Sequence, residues 1–129
     1  MQFLSCVVFF KAYNINMKAK IKVWLEKDGK QLLGEGRIRL LKTIEDKGSL
    51  KKAVEELGYS YRYAWGIIRK LEKRIGKQLI ISHKGGAHGG DSHLTDYGKK
   101  LIEKFDKYTE EIKKKNDKIF RRYFKDDEF

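Results

Sequence analysis

Residues 48–76 constrain the fold most, because start and stop signals for two successive helices fall within a few residues of each other. Gly48 supplies a left-handed stop and Ser49 an N-cap, after which Leu50, Ala53, Val54 and Leu57 make one apolar face of a short helix. Gly58 ends that helix, Ser60 caps the next almost at once, and Gly76 closes it. Two helices joined by a glycine-containing turn of about three or four residues form a helix-turn-helix. The second, expected over residues 60–74, is then the candidate recognition helix. At about 100° per residue, Ala64, Ile68, Leu71 and Ile75 share one side, while Arg62, Gly66, Arg69, Lys70 and Lys73 lie roughly opposite. Short helices around a glycine turn also occur in proteins that never touch DNA, so the flanking segments carry weight.

Those flanks extend the pattern. Ile21, Val23 and Leu25 alternate with Lys20, Lys22 and Trp24, the period of a half-buried strand expected over residues 20–26. Asp28 and Gly29 tolerate positive φ, so residues 31–33 can return as the second arm of a hairpin. A helix is expected over residues 37–47, with Ile38, Leu41 and Ile44 at helical spacing. Beyond Gly76, residues 78–82 are β-prone, a glycine-rich loop follows over 83–92, and Leu94 returns as a short strand before Thr95 caps a last helix. A β-hairpin after a recognition helix is a wing. The expected fold is α+β and mostly helical: a winged helix-turn-helix with an N-terminal β-hairpin and a long C-terminal helix.

That last helix, expected over residues 96–124, places Leu101, Phe105, Tyr108, Ile112, Ile119 and Tyr123 at spacings of four, three, four, seven and four, with Asn116 in the gap. This resembles an imperfect heptad seam. Homodimerisation through it is expected, with residues 96–112 also packing on the domain. The expected division is an N-terminal extension over 1–18, a DNA-binding domain over 19–95 and a dimerisation helix over 96–129.

Composition narrows the partners. Thirty Lys and Arg against eighteen Asp and Glu leave a formal +12, which favours polyanions, nucleic acid before an acidic membrane. Cys6 stands alone, so an intramolecular disulfide and every multi-cysteine zinc pattern are excluded, and a reducing, cytoplasmic setting fits. Residues 3–10 are apolar but far short of the roughly 20 residues a membrane span needs, and they lack the marks of a secretory signal. Met17 opens a more natural start, so residues 1–16 are expected to be an upstream mis-translation or a weakly ordered extension, the alternative being an added edge strand.

Taken together, Gly48-Ser49, Ala53, Ser60-Tyr61, Ala64-Trp65, Ile68, Leu79-Ile80, the glycine pairs 85–86 and 89–90, Leu94-Thr95, Tyr97-Gly98 and Leu101-Ile102 resemble the N-terminal DNA-binding domain of ModE-type molybdate-responsive regulators. More distantly, Ile68-Arg69-Lys70-Leu71-Glu72 with Gly76 and Leu79 is similar to LysR-type winged helix-turn-helix domains. The resemblance runs from about Val23 to Phe105 and implies a dimeric, cytoplasmic transcription regulator. It does not carry over the molybdate site, which in ModE-type proteins lies in a separate C-terminal domain. A stand-alone DNA-binding protein without an evident small-molecule effector or cofactor is expected.

Individual roles follow from position. Ser60, Tyr61, Arg62 and Tyr63 occupy the end of the recognition helix that meets base edges, and Arg62 can pair bidentately with guanine. Arg69, Lys70 and Lys73 suit phosphates. Between residues 60 and 77 stand six Lys and Arg against one Glu, an excess beyond an ordinary solvated face. Ser49, Lys84, Gly85, Gly86 and His88 complete the expected DNA contacts. Trp65 is expected to be buried rather than stacked on a base. Gly66 costs roughly 1 kcal/mol relative to alanine within a helix, so it serves either close approach to DNA or close packing on a neighbouring helix.

His83, His88 and His93 recur near Asp91 without a defined frame, and no metal is assigned to them. No Ser/His/Asp set, paired buried carboxylates or P-loop spacing is recognisable, so no catalytic residue is assigned. The expected function is a sequence-specific regulator that binds a palindromic operator in double-stranded DNA as a homodimer. The alternatives are a nonspecific architectural DNA binder and a winged-helix protein-interaction scaffold.

Overall fold

A computed structural model of the chain describes residues 17–85 and 90–124. The expectations placed on residues 1–16, on Gly86 and on His88 fall outside them. Lys22–Asp106 forms one compact unit, and the described parts of Met1–Ile21 and Lys107–Phe129 form a second.

The first unit opens with a hairpin, β1 (Leu25–Lys27) and β2 (Lys30–Leu33). Asp28 and Gly29 both take positive φ, 54° and 73°, the two-residue turn whose twist matches antiparallel strands. The ladder pairs Leu25 with Leu33 and Lys27 with Lys30, with a bulge between Leu25 and Glu26. The first strand is therefore shorter than its alternating pattern suggests and lies further along the chain. The reason is on the other arm: β2 runs into Gly34, the N-cap of a helix, and leaves nothing for residues before Leu25 to pair with. Alternation persists in exposure alone, with Val23 and Leu25 half-buried beside exposed Lys22 and Trp24.

Three helices follow: α1 (Glu35–Lys47), α2 (Leu50–Leu57) and α3 (Tyr61–Ile75). Helix α1 begins two residues before its apolar periodicity, with Glu35 placed where the N-terminal dipole favours an acid. The hydroxyls of Ser49 and Ser60 accept the backbone N–H groups of Lys52 and Tyr63, at 3.3 and 3.1 Å. Gly48, Gly58 and Gly76 end the helices in the left-handed conformation. Between them these helices bury Ile38, Leu41 and Ile44, Leu50, Ala53 and Val54, and Ala64, Ile68 and Leu71 in one core, closed from below by Leu33.

The wing is β3 (Ile80–His83) antiparallel to β4 (Asp91–Leu94), Ile80 opposite Leu94 and His83 opposite Asp91. Its inner face is Ile80, Leu94 and Ser92, the last bonded to Ser82 hydroxyl to hydroxyl at 3.0 Å. Its outer face is Ile81, His83, Asp91 and His93. Backbone N–H groups anchor it: Ser92 donates to the Gly48 carbonyl at 2.9 Å, Leu94 to Glu45 Oε2 at 2.8 Å, and Leu79 and Ile80 to Glu72 Oε2 at 2.7 and 3.4 Å.

The last helix, α4 (Asp96–Tyr123), starts under Thr95, whose hydroxyl accepts the Gly98 N–H and donates to the Gln78 carbonyl. Gly98 is buried, and a Cβ there would stand 2.8 Å from the Leu79 carbonyl oxygen, so the small residue lets α4 lie close to the wing's base. Ile102 and Phe105 join the core and Leu101 packs against it. The heptad reading needs correction here, because Phe105, at 5% exposure, belongs to the core of its own chain. Spacing alone cannot separate the stripe a helix buries beneath it from one it offers to a second copy. In the second unit Tyr108, Ile119 and Tyr123 are exposed and Ile112 half-buried, while Asn116 donates to the Ala19 carbonyl at 3.1 Å.

Candidate nucleic-acid interface

Helix α3 holds the core with one stripe and leaves the opposite one open. Arg62, Arg69, Lys70 and Lys73 are exposed, as are Tyr61 and Tyr63 at its N-terminal end. The aromatic residues form a fixed framework. Tyr59 and Tyr63 meet edge to face with ring centroids 5.6 Å apart, Tyr61 and Trp65 do the same at 6.3 Å, and the Arg69 guanidinium sits 5.6 Å from the Trp65 ring centre. Such stacking favours a cation over an aromatic face and holds Arg69 along the helix surface. Trp65 is half-buried, packed on the core below and covered by Arg69 above.

Glu72, the one acid among the basic residues of this helix, is turned away from the open stripe. Its carboxylate accepts the N–H groups of Leu79 and Ile80 at 2.7 and 3.4 Å, which binds the strand that starts the wing. The exposed stripe is thus more purely cationic than the sequence count suggests.

Gly66 lies on that stripe, and a Cβ at this position would meet nothing within 4 Å. Close packing against a neighbouring helix is therefore not why a glycine stands there. Ser49 is buried to 8% exposure and Ser60 is exposed, but each hydroxyl accepts a capping bond, so their first task is to start α2 and α3 correctly.

The wing faces the N-terminal half of α3 across a cleft of about 570 Å³, lined among others by Tyr61, Trp65, Lys51, His83, Lys84 and Gly85. Lys84 and Gly85 are exposed at its rim. Lys51, from the exposed side of α2, also reaches this cleft. It escaped sequence reasoning because one lysine on a short helix has no pattern to distinguish it. Asp91 belongs to the same wall, where His83 Nδ1 lies 2.8 Å from one carboxylate oxygen and His93 Nε2 3.8 Å from the other. The hydrogen bond from His83 holds the Asp91 carboxyl below its ordinary range. Among the described residues no group of three or more His, Cys, Asp and Glu side chains is placed to hold a metal ion. Nor is any helix among them long and apolar enough to cross a membrane.

A helix-turn-helix with an open basic helix and an adjoining two-stranded wing defines a winged helix-turn-helix domain. Residues 36–99 match the family described as bacterial regulatory helix-turn-helix protein, lysR family. In sequence the chain is similar to the molybdenum transport protein ModE of Azotobacter vinelandii, 36% identical over 78 residues, which are 60% of this chain and 29% of that protein. It is also similar to the DNA-binding transcriptional dual regulator ModE of Escherichia coli, 34% identical over 90 residues, 70% of this chain and 34% of that one. The chain spans about a third of the length of these curated relatives. In fold it is similar to a variant of ZitR from Lactococcus lactis, with a TM-score of 0.50 at 18% identity, covering 95% of this chain and 81% of that one.

Proposed function

We propose that this chain is a cytoplasmic transcriptional regulator that binds a palindromic operator in double-stranded DNA as a homodimer. The observation that carries this is the open stripe of α3, where Arg62, Arg69, Lys70 and Lys73 stand exposed while Glu72 is bound to the wing. Tyr61, Arg62 and Tyr63 meet base edges in the major groove, as the N-terminal end of a recognition helix does. Arg69, Lys70 and Lys73 hold phosphates, and Lys84 and the glycine-rich loop lie against the adjoining backbone. The naming of relatives as DNA-binding and transcriptional regulators agrees with this assignment. Dimerisation falls to the part of α4 beyond Asp106, whose exposed Tyr108, Ile119 and Tyr123 suit a second copy. On this reading residues 19–95 bind DNA, and the segment 96–129 pairs the subunits through its part beyond Asp106.

Selecting bound fragments from sheared genomic DNA tests the assignment. Expected are fragments sharing a two-fold symmetric site with half-sites about one or more helical turns apart. Unrelated, asymmetric fragments overturn sequence-specific regulation in favour of architectural binding, and no bound duplex at low salt overturns DNA binding altogether.

A further inference from the structure

The N-terminal hairpin carries a cluster that the wing and reading residues leave unexplained. Its turn stands against the C-terminal half of α3, and together they line a concavity of about 500 Å³ with Lys27, Lys30, Lys70, Lys73 and Arg74 around a single acid, Asp28. Two hydrogen bonds join the elements: Lys27 Nζ donates to the Arg74 carbonyl at 2.9 Å, and Arg74 Nη1 donates to the Gln31 carbonyl at 2.6 Å. Arg37 reaches the same Gln31 carbonyl at 2.6 Å, and burial together with the neighbouring Arg74 lowers its pKa. Positive charge is thus gathered here around carbonyl oxygens. Among the described residues none of the five cations forms an ion pair with a carboxylate. Gathered like charges repel, so the cluster favours an anionic partner.

We propose that this concavity is a second phosphate-binding site, taking the sugar-phosphate backbone of duplex DNA beside the segment that α3 reads. The proposal rests on the DNA-binding assignment above and adds the hairpin to it. Lys73 lies eleven residues after Arg62, about 20° from it around the helix and about 16 Å along it, so the cluster continues the reading stripe to its far end. Helix α3 then lies between two hairpins: the wing at its N-terminal half and the β1–β2 turn at its C-terminal half. The hairpin is a phosphate clamp, recognising charge and spacing without reading bases.

Lys30 and Asp28 are the residues to change, since Lys27 and Arg74 also hold the hairpin in place. Binding of the genomically selected duplex is measured by fluorescence anisotropy against salt for the full chain, Lys30→Gln and Asp28→Asn, with flanking base pairs trimmed stepwise. Asparagine accepts the positive φ that Asp28 adopts. Lys30→Gln is expected to reduce the slope of log affinity against log salt by about 0.9, the value of one phosphate contact, with mismatch penalties unchanged. Asp28→Asn is expected to tighten binding, and both effects vanish once the flank is trimmed away. If the unaltered chain binds the duplex but neither substitution changes slope or affinity, the hairpin site is overturned and the DNA assignment stands. If Lys30→Gln fails to fold, Asp28→Asn decides alone. No binding by the unaltered chain at about 50 mM salt overturns the DNA assignment and this site with it.

Discussion

The carboxylate of Glu72, on α3, accepts the backbone N–H of Leu79 at 2.7 Å, just before the wing's first strand. Helix α3 and the wing beside it are therefore tied to one another through this side chain. Leu79 is fully buried, and this carboxylate is the acceptor its N–H meets there. Glu72→Ala is expected to destabilise the domain by about 1–3 kcal/mol, the cost of an unsatisfied buried N–H. Thermal unfolding measures this, and an unchanged melting temperature would show that the wing is held by its other anchors.

Gly66 gives a test in which stability and binding move apart. Since a Cβ there meets nothing, Gly66→Ala is expected to stabilise the helix by up to about 1 kcal/mol through propensity alone. If the groove approaches α3 closely at this point, the same substitution weakens duplex binding. A variant that is both more stable and unimpaired in binding removes close approach as the reason for the glycine.

Arg62 and Arg69 are expected to fail differently. Arg62→Ala should relax discrimination at one base pair in each half-site by roughly 1–3 kcal/mol. Arg69→Ala should weaken all sequences alike and lower the salt slope by about 0.9, with an added effect from uncovering Trp65. Affinities across a set of single-base variants at several salt concentrations separate the two patterns, and matching profiles would refute the division of labour along α3.

The wing's outer face has a pH signature. Asp91 titrates below the usual carboxylate range because it accepts a hydrogen bond from His83. A depressed folded-state pKa means that its contribution to stability is present above the unfolded value and is lost as pH falls through the folded one. Carboxyl-carbon NMR is expected to follow that low titration, and His83→Ala to move it back toward the ordinary range. An unmoved titration would show that His83 is not its cause.

Two aromatic residues of α4, one turn apart, should report opposite consequences. Phe105→Ala removes a core side chain and is expected to cost about 3–5 kcal/mol, lowering the melting temperature. Tyr108→Lys, at an exposed position, should leave that temperature nearly unchanged while shifting the sedimentation equilibrium toward monomer at tens of micromolar. A chain that is monomeric before any substitution rules out pairing through α4.

What local sequence determined about this protein is nearly everything set by local signals. Ser49, Gly48, Ser60, Gly58 and Gly76 bound α1, α2 and α3 within two residues because caps and left-handed stops act on their own helix ends. The apolar side of α3 was legible for the same reason, since 3.6-residue periodicity needs no partner. Tertiary structure decided what depended on distant neighbours. The first strand shortened because β2 ends at a helix cap, and Phe105 left the heptad seam because the core lies beneath it. Most consequential was the opening helix-turn-helix itself. Its second helix reads as five basic residues and one acid, but only the fold turns Glu72 toward the wing and brings Lys27 and Lys30, about forty residues earlier, beside Lys70 and Lys73. Charges so far apart in the chain have no shared sequence pattern; proximity arises only when the hairpin docks on the helix.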